Sequence, residues 1–147
     1  MTIRETELTE DVLQTLIALS EDWEAEQCCH GYRKNERADI DGNRIFLAEK
    51  DGCVIGYLFG ALHRAKQSSS VMPEGTPVFE VEELYVVPAQ RSQGIGAALF
   101  RFAEQIATPE AEFIMVGTAT KNWRAILHFY LEELGMDFWS ARLFKKL

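Results

Sequence analysis

One stretch constrains this chain more than any other: Val78 to Ala107, VFEVEELYVVPAQRSQGIGAALFRFAEQIA. It opens on the apolar run Val81-Glu82-Glu83-Leu84-Tyr85-Val86-Val87, rich in β-branched and aromatic residues, which reads as a strand. Pro88 ends it, because a proline cannot donate to a continuing ladder. Arg91-Ser92-Gln93-Gly94-Ile95-Gly96 then forms a tight, glycine-punctuated turn. Beyond it Ile95, Ala98, Leu99, Phe102 and Ile106 recur every third or fourth residue, the apolar stripe of an amphipathic helix.

Such a unit is built for an anion. Glycines at alternate positions let a ligand approach the backbone. The first N–H groups of the helix have no partner within it, and the helix dipole adds positive potential there. A phosphate or pyrophosphate fits that place. Two common phosphate loops fit less well. A P-loop needs Lys-Ser/Thr after its last glycine, where Ala97 stands, and a dinucleotide fingerprint needs a third glycine where Leu99 stands.

At 147 residues the chain reads as one domain spanning 1–147, with room for a single well-buried core. Its 15 Lys plus Arg against 23 Asp plus Glu give a net charge of −8, which argues against nucleic acid as a partner. No apolar run has transmembrane length, so no membrane partner is expected, and the N-terminus lacks a signal-peptide core. Three cysteines, two of them adjacent, make neither a disulfide framework nor a Cys-x-x-Cys metal pair. The histidines at 30, 63 and 128 are too dispersed for a metal site. These features point to a cytoplasmic protein with reduced thiols.

Thr2 to Glu5 reads as a short strand. Thr9 caps a helix that reaches about Gln27, with Val12, Leu13, Leu16, Ile17, Ser20 and Trp23 on one face. Six acidic residues and no Lys or Arg lie between Leu8 and Gln27. They read as a solvated helix face, and an acidic surface is compatible with a cationic substrate. Cys28 to Asp41 is polar and ambiguous, with room for a short second helix. Arg44–Glu49 and Cys53–Leu62 read as strands joined by Lys50-Asp51-Gly52, a hairpin signal. Ala65–Pro77 reads as a mobile polar loop. After the central helix, Glu112–Ala119 is strand-like, and Asn122 starts a helix to about Leu134 with Gly135 at its end. Asp137–Leu147 is expected to form a last strand, with Trp139, Ala141 and Leu143 on one face. Helix and strand alternating through the second half predict an α/β fold with a mixed sheet.

The segment Leu84 to Leu99 resembles the acetyl-CoA motif of the GCN5-related N-acetyltransferases, Gln/Arg-x-x-Gly-x-Gly/Ala, through Arg91, Gly94 and Gly96. The resemblance is sharpest here and extends loosely over most of the chain. It implies the acyl-CoA N-acyltransferase fold, a central mixed sheet splayed at the cofactor site and flanked by helices. It also implies acetyl-CoA as cofactor, held by the backbone of Arg91, Ser92, Gln93, Gly94, Ile95, Gly96, Ala97 and Ala98 at the pyrophosphate, and by Leu84, Tyr85, Val86 and Val87 along the pantetheine arm. Asn122 either contacts that arm or merely caps its helix. Homodimers are common in the family. The family's terminal β-hairpin is short or missing here.

Acetyl transfer to an amine needs a base for the ammonium and an acid for the departing thiolate. By resemblance Glu82, four residues before Val86, is the candidate base; alternatively Glu80, Glu82 and Glu83 are exposed strand charges. Tyr130 is the candidate acid, and the alternative is a core tyrosine. Asn122, Ala125, Phe129-Tyr130 and Gly135 resemble the family's Asn-x-x-Ala…Tyr…Gly-Phe pattern. One residue more than usual separates Tyr130 from Gly135, and Met136 replaces the common Phe. The expected activity is acetyl transfer from acetyl-CoA to the primary amine of a small, cationic acceptor, by direct attack in a ternary complex. The alternatives are acetylation of a protein N-terminus or lysine, and a non-catalytic acyl-CoA sensor.

Overall fold

Asp51 and Gly52 both adopt positive φ, 51° and 77°, and close the hairpin from which the sheet grows. The computed structural model describes all 147 residues. Its elements are β1 (Thr2–Thr6), α1 (Glu10–Glu26), α2 (Arg37–Ile40), β2 (Arg44–Lys50), β3 (Cys53–Arg64), β4 (Pro77–Val86), α3 (Ile95–Ala107), β5 (Phe113–Val116) and α4 (Trp123–Leu127). The sheet runs β1-β2-β3-β4-β5. Neighbours are antiparallel except β4 and β5, which are parallel and joined through α3.

Each face of the sheet has its own core. On one, Ile95, Leu99, Phe100 and Ala103 of α3 pack on Phe46, Leu58, Phe79 and Val81. On the other, Leu13 and Leu16 of α1 and Ile40 of α2 cover Ile45, Leu47, Tyr57, Phe59 and Tyr85. Burying one such side chain is worth about 1.5–3 kcal/mol, so the α3 stripe alone can hold the start of that helix against β4. The predicted cap of α1 is present, Thr9 Oγ1 accepting from the Val12 N–H at 3.2 Å. No helix is long and apolar enough to cross a membrane.

Two irregularities position the site. Phe59 pairs with Glu83 but Gly60 pairs with Val81, so Glu82 is an extra residue and β4 bulges there. A Cβ on Gly60 would run into the Glu80 carbonyl, which is why the bulge needs glycine opposite it. Next, β4 pairs with β5 only over Val78–Val81 against Phe113–Val116. The rest of β4, to Val86, has no strand on that side. The gap is bridged further out, where the His30 N–H donates to the Ala119 carbonyl and the Lys121 N–H to the Cys28 carbonyl, at 2.9 and 2.8 Å.

Three expectations change. Asp137–Leu147 forms no strand, because within the chain it meets no neighbour to share a ladder with, and Leu143 and Phe144 are left 91% and 81% exposed. The helix expected from Asn122 to Leu134 is α only to Leu127; His128–Glu133 is a π turn. That turn absorbs one surplus residue, the same surplus counted between Tyr130 and Gly135. The segment expected to be a mobile loop folds on itself around buried Met72, with Ala65 and Gly75 N–H groups bonded to the Thr76 and Ala65 carbonyls.

Replacing Gly60 by alanine should lower the unfolding free energy by about 1–3 kcal/mol or more, the usual cost of overpacking. Urea denaturation of the variant checks this.

Candidate active site

The turn between β4 and α3 is a concave row of amide donors. Ser92 and Gly94 both sit at positive φ, 62° and 81°, either side of Gln93, so successive N–H groups turn inward. From Ser92 to Ala97, none of the six backbone N–H groups donates to an acceptor in the protein; the first to do so is Ala98, to Gly94. The first turn of α3 carries no acidic residue that would oppose an anion. Gly96 leaves room under the ring of Phe129, whose nearest atom a Cβ would meet at 3.4 Å. These are the properties expected of Arg91 to Ala98 for binding a pyrophosphate by backbone dipoles.

The Arg91 side chain is occupied. Its guanidinium makes a two-pronged ion pair with Glu26 at 2.6 and 2.8 Å, and its Nε donates to the Val86 carbonyl at 2.8 Å. It also lies over the Tyr85 ring, 5.4 Å from the centroid. Tyr85 therefore points to the α1 side, where Trp23 stacks on it at 5.2 Å. Its hydroxyl is buried without a partner, and burial, then the Glu26 charge, push its pKa up to about 12. What β4 offers the gap beside β5 is the backbone of Leu84 to Val86.

The three glutamates of β4 occupy different surroundings. Glu82, on the bulge, is exposed. Glu83 is mostly buried on the α1 side, where its Oε1 accepts from Tyr57 Oη at 2.8 Å, Asn35 Nδ2 at 2.8 Å and Tyr32 Oη at 3.1 Å. Burial raises its pKa and those three donors pull it back. Glu80 is half-buried; one oxygen, Oε2, is buried with no hydrogen-bond partner. Burial raises its pKa, the nearby His63 charge opposes that, and Glu82 adds to it. Strand alternation puts Glu80 on the same face as Val78, which lines a cavity of about 170 Å³ with His63, Met72, Met115 and Trp139. The donors around Glu83 were not legible beforehand: Tyr32 and Asn35 lie in the polar stretch that carried no clear periodicity.

Tyr130 sits in the π turn, largely buried, with Phe100 at 6.2 Å and Phe129 at 5.0 Å between ring centroids. Burial alone pushes its phenol up to about 12, so it keeps its proton across the working range. Asn122 occupies the N-cap position of α4, but its side chain makes no capping bond. Of the six acidic residues of α1, Glu10, Glu21, Glu24 and Glu26 bond to Arg37, Lys34, the Lys34 N–H and Arg91. Only Asp11 and Asp22 stand free of such bonds. A polar cavity of about 220 Å³ opens at the end of this helix, lined by Trp23, Glu24, Cys28, His30, Tyr32 and Lys121 among others.

Glu83 gives a testable sign. Its folded pKa lies above the unfolded value, so its contribution to stability is full below about 4.5 and lost as pH rises through the raised value. The unfolding free energy of Glu83→Gln should rise relative to wild type across that window, as urea titrations between pH 4 and 8 would show.

A family model described as the acetyltransferase (GNAT) family matches residues 11–136. None of the curated proteins matches the sequence. Among solved structures, the chain is similar to the aminoglycoside N-acetyltransferase AAC(6')-Iy in complex with CoA, at TM-score 0.68 and 18% identity over 99% of this chain and 98% of that one. It is similar to the aminoglycoside 6'-N-acetyltransferase AAC(6')-IG from Acinetobacter haemolyticus, at 0.66 and 22% over 100% and 98%. A transcriptional regulator from Bacillus halodurans C-125 superposes at 0.72 with 21% identity over 99% and 100%.

Proposed function

The chain belongs to the acetyltransferase (GNAT) family, and we propose that it transfers an acetyl group from acetyl-CoA to the primary amine of a small, cationic acceptor. The observation that carries this reading is the run of unpartnered N–H groups from Ser92 to Ala97 beside the open edge of β4. When bound, acetyl-CoA supplies an activated thioester. The turn gives its pyrophosphate fixed dipoles, which is how a chain of net charge −8 holds a polyanion. Leu84 to Val87 offer backbone groups to the pantetheine arm, and Asn122, its side chain free of a capping bond, is available to the same arm.

The amine must be neutral before it attacks. Its ammonium form has a pKa near that of lysine, about 10.4, so a carboxylate with an open lone pair, acting directly or through a water, has to take the proton. Neither oxygen of Glu80 accepts a hydrogen bond within the protein, whereas Glu83 is already held through Oε1 by three donors and has only Oε2 open. We assign the base to Glu80, with the exposed Glu82 beside it as the second candidate. Tyr130 keeps its proton and is the acid we assign to the departing thiolate, whose own pKa rises in apolar surroundings. Attack by the amine nitrogen on the carbonyl carbon, with departure of the thiolate, then needs no covalent enzyme intermediate.

A small cationic acceptor fits the acidic α1, and the similarity to two aminoglycoside acetyltransferases makes aminoglycosides the first acceptors to try. Thiol release from acetyl-CoA should be measured against aminoglycosides, polyamines and lysine peptides. Tyr130→Phe and Glu80→Gln should each lower kcat by about 10²–10⁴-fold, the usual share of acid–base catalysis, while CoA binding persists. Wild-type kcat/KM should fall as pH drops through a value above 4.5, and Glu80→Gln should lose that limb. If Glu82→Gln loses it instead, the base is Glu82. Turnover of peptides alone moves the acceptor to proteins; CoA binding without turnover of anything leaves a sensor.

We also propose that the chain forms homodimers. Phe138, Trp139, Leu143 and Phe144 are exposed in the segment after Gly135, and β5 is a free sheet edge. The same segment carries Arg142, Lys145 and Lys146 against one acid, Asp137, on an otherwise acidic chain, so a second copy offers both an edge and the opposite charge. Light scattering should give the dimer mass, and Leu143→Asp/Phe144→Asp should give the monomer.

A further inference from the structure

We propose that Glu26 is a positioning residue that holds Arg91 away from the anion site and releases it when the cofactor arrives, so that cofactor loading is communicated to α1. The inference rests on the acetyl-CoA reading of the turn. Arg91 directly precedes the six unpartnered N–H groups, yet its own donors are directed elsewhere, to both carboxylate oxygens of Glu26 and to the Val86 carbonyl. Glu26 is the last residue of α1, so this pair is a direct link between that helix and the turn.

Both ends of the clasp bear on the reaction. The Val86 carbonyl lies on the β4 segment offered to the pantetheine arm. Glu26 lies one turn from Trp23, whose ring centroid is 4.3 Å from that of Tyr32, tilted at 31°, and which lines the polar cavity at the end of α1. An incoming pyrophosphate competes with Glu26 for the guanidinium, since Arg pairs with carboxylate and phosphate through the same fork. Once Arg91 turns to the phosphate, Glu26 is left as an unpaired carboxylate beside that cavity. A second cationic group of an acceptor long enough to reach from Glu80 then finds a carboxylate there, beside the already free Asp22. By reciprocity, the amine also favours the cofactor-loaded arrangement. The device couples cofactor loading to the charge presented at the end of α1 and discriminates in favour of cations.

The partners are part-exposed, at 41% for Arg91 and 23% for Glu26, so the competition is modest: removing it should change CoA affinity by about two- to fivefold. The experiment is calorimetric titration of CoA into wild type, Glu26→Gln, Arg91→Ala and the double variant, with circular dichroism confirming the fold. Trp23 fluorescence is followed in parallel in a Trp123→Phe/Trp139→Phe background. We expect Glu26→Gln to bind CoA more tightly, to lose the CoA-induced change in Trp23 emission, and to raise the KM for the amine with kcat held. The gain in affinity should vanish when Arg91 is also removed, and Glu26→Asp should restore the wild-type response. Should Glu26→Gln bind CoA as wild type does or more weakly, the clasp is not a competitor and the inference fails. Failure of wild type to bind CoA at all would instead overturn the proposed function. An unfolded Glu26→Gln moves the comparison to Glu26→Ala, which also frees the guanidinium and should still tighten CoA; equal affinity there also overturns the inference.

Discussion

Everything at the site follows from the parting of two strands. β4 and β5 share a ladder for four residue pairs and then separate. Parallel neighbours ordinarily bury each other's backbone groups, so a strand that outruns its partner is left with polar groups that must be satisfied by something else. Here β4 outruns β5 as far as Val86, and its continuation delivers the chain into the amide row at the start of α3. The exposed edge and the anion site are thus one surface, ordered by the packing of α3 on the sheet. The bulge at Glu82 adds a second effect. By inserting one residue it restores Glu83 to the face that Glu80 occupies, so two carboxylates look toward the same side with different partners.

Those two glutamates show how surroundings, not residue type, set a role. Glu83 gathers hydroxyl and amide donors from β3 and from the chain after α1, and so ties the ends of α1 and α2 to the sheet. Glu80 lacks any such partner for one oxygen. Burying a polar atom without a bond costs about 1–3 kcal/mol, a cost usually retained only where the atom has work to do. Tyr85 carries a similar orphan hydroxyl beneath Arg91. Two of the three buried orphan atoms, Glu80 Oε2 and Tyr85 Oη, thus lie along β4 on the side facing α1.

Much of this was legible in the residues before any coordinates. The β4–turn–α3 unit announces itself through Pro88, the paired glycines and the three-and-four spacing of Ile95, Leu99 and Phe102. The Asp-Gly hairpin and the Thr9 cap are equally local, and local signals survive translation into structure. What escaped was non-local. Nothing in Cys28 to Asp41 reveals that Tyr32 and Asn35 converge on Glu83, because that meeting spans 48 or more positions. Alternation at Trp139, Ala141 and Leu143 suggested a strand, but a strand also needs a neighbour, and sequence pattern does not supply one. Among the three glutamates of β4, only the bulge decides which is buried, and the bulge depends on Gly60 in another strand.

The π turn at His128–Glu133 also sets the geometry beyond itself. One added residue rotates everything downstream by about 100° relative to a continuous α-helix. Phe129 and Tyr130 lie within the turn and make its contacts with Gly96 and Phe100, while Gly135 and the tail beyond it are turned. The heading of Phe138, Trp139 and Leu143 is therefore a property of residues 128 to 133, and not of the tail's own sequence. In a lineage, gain or loss of a single residue at this turn redirects an entire terminal arm.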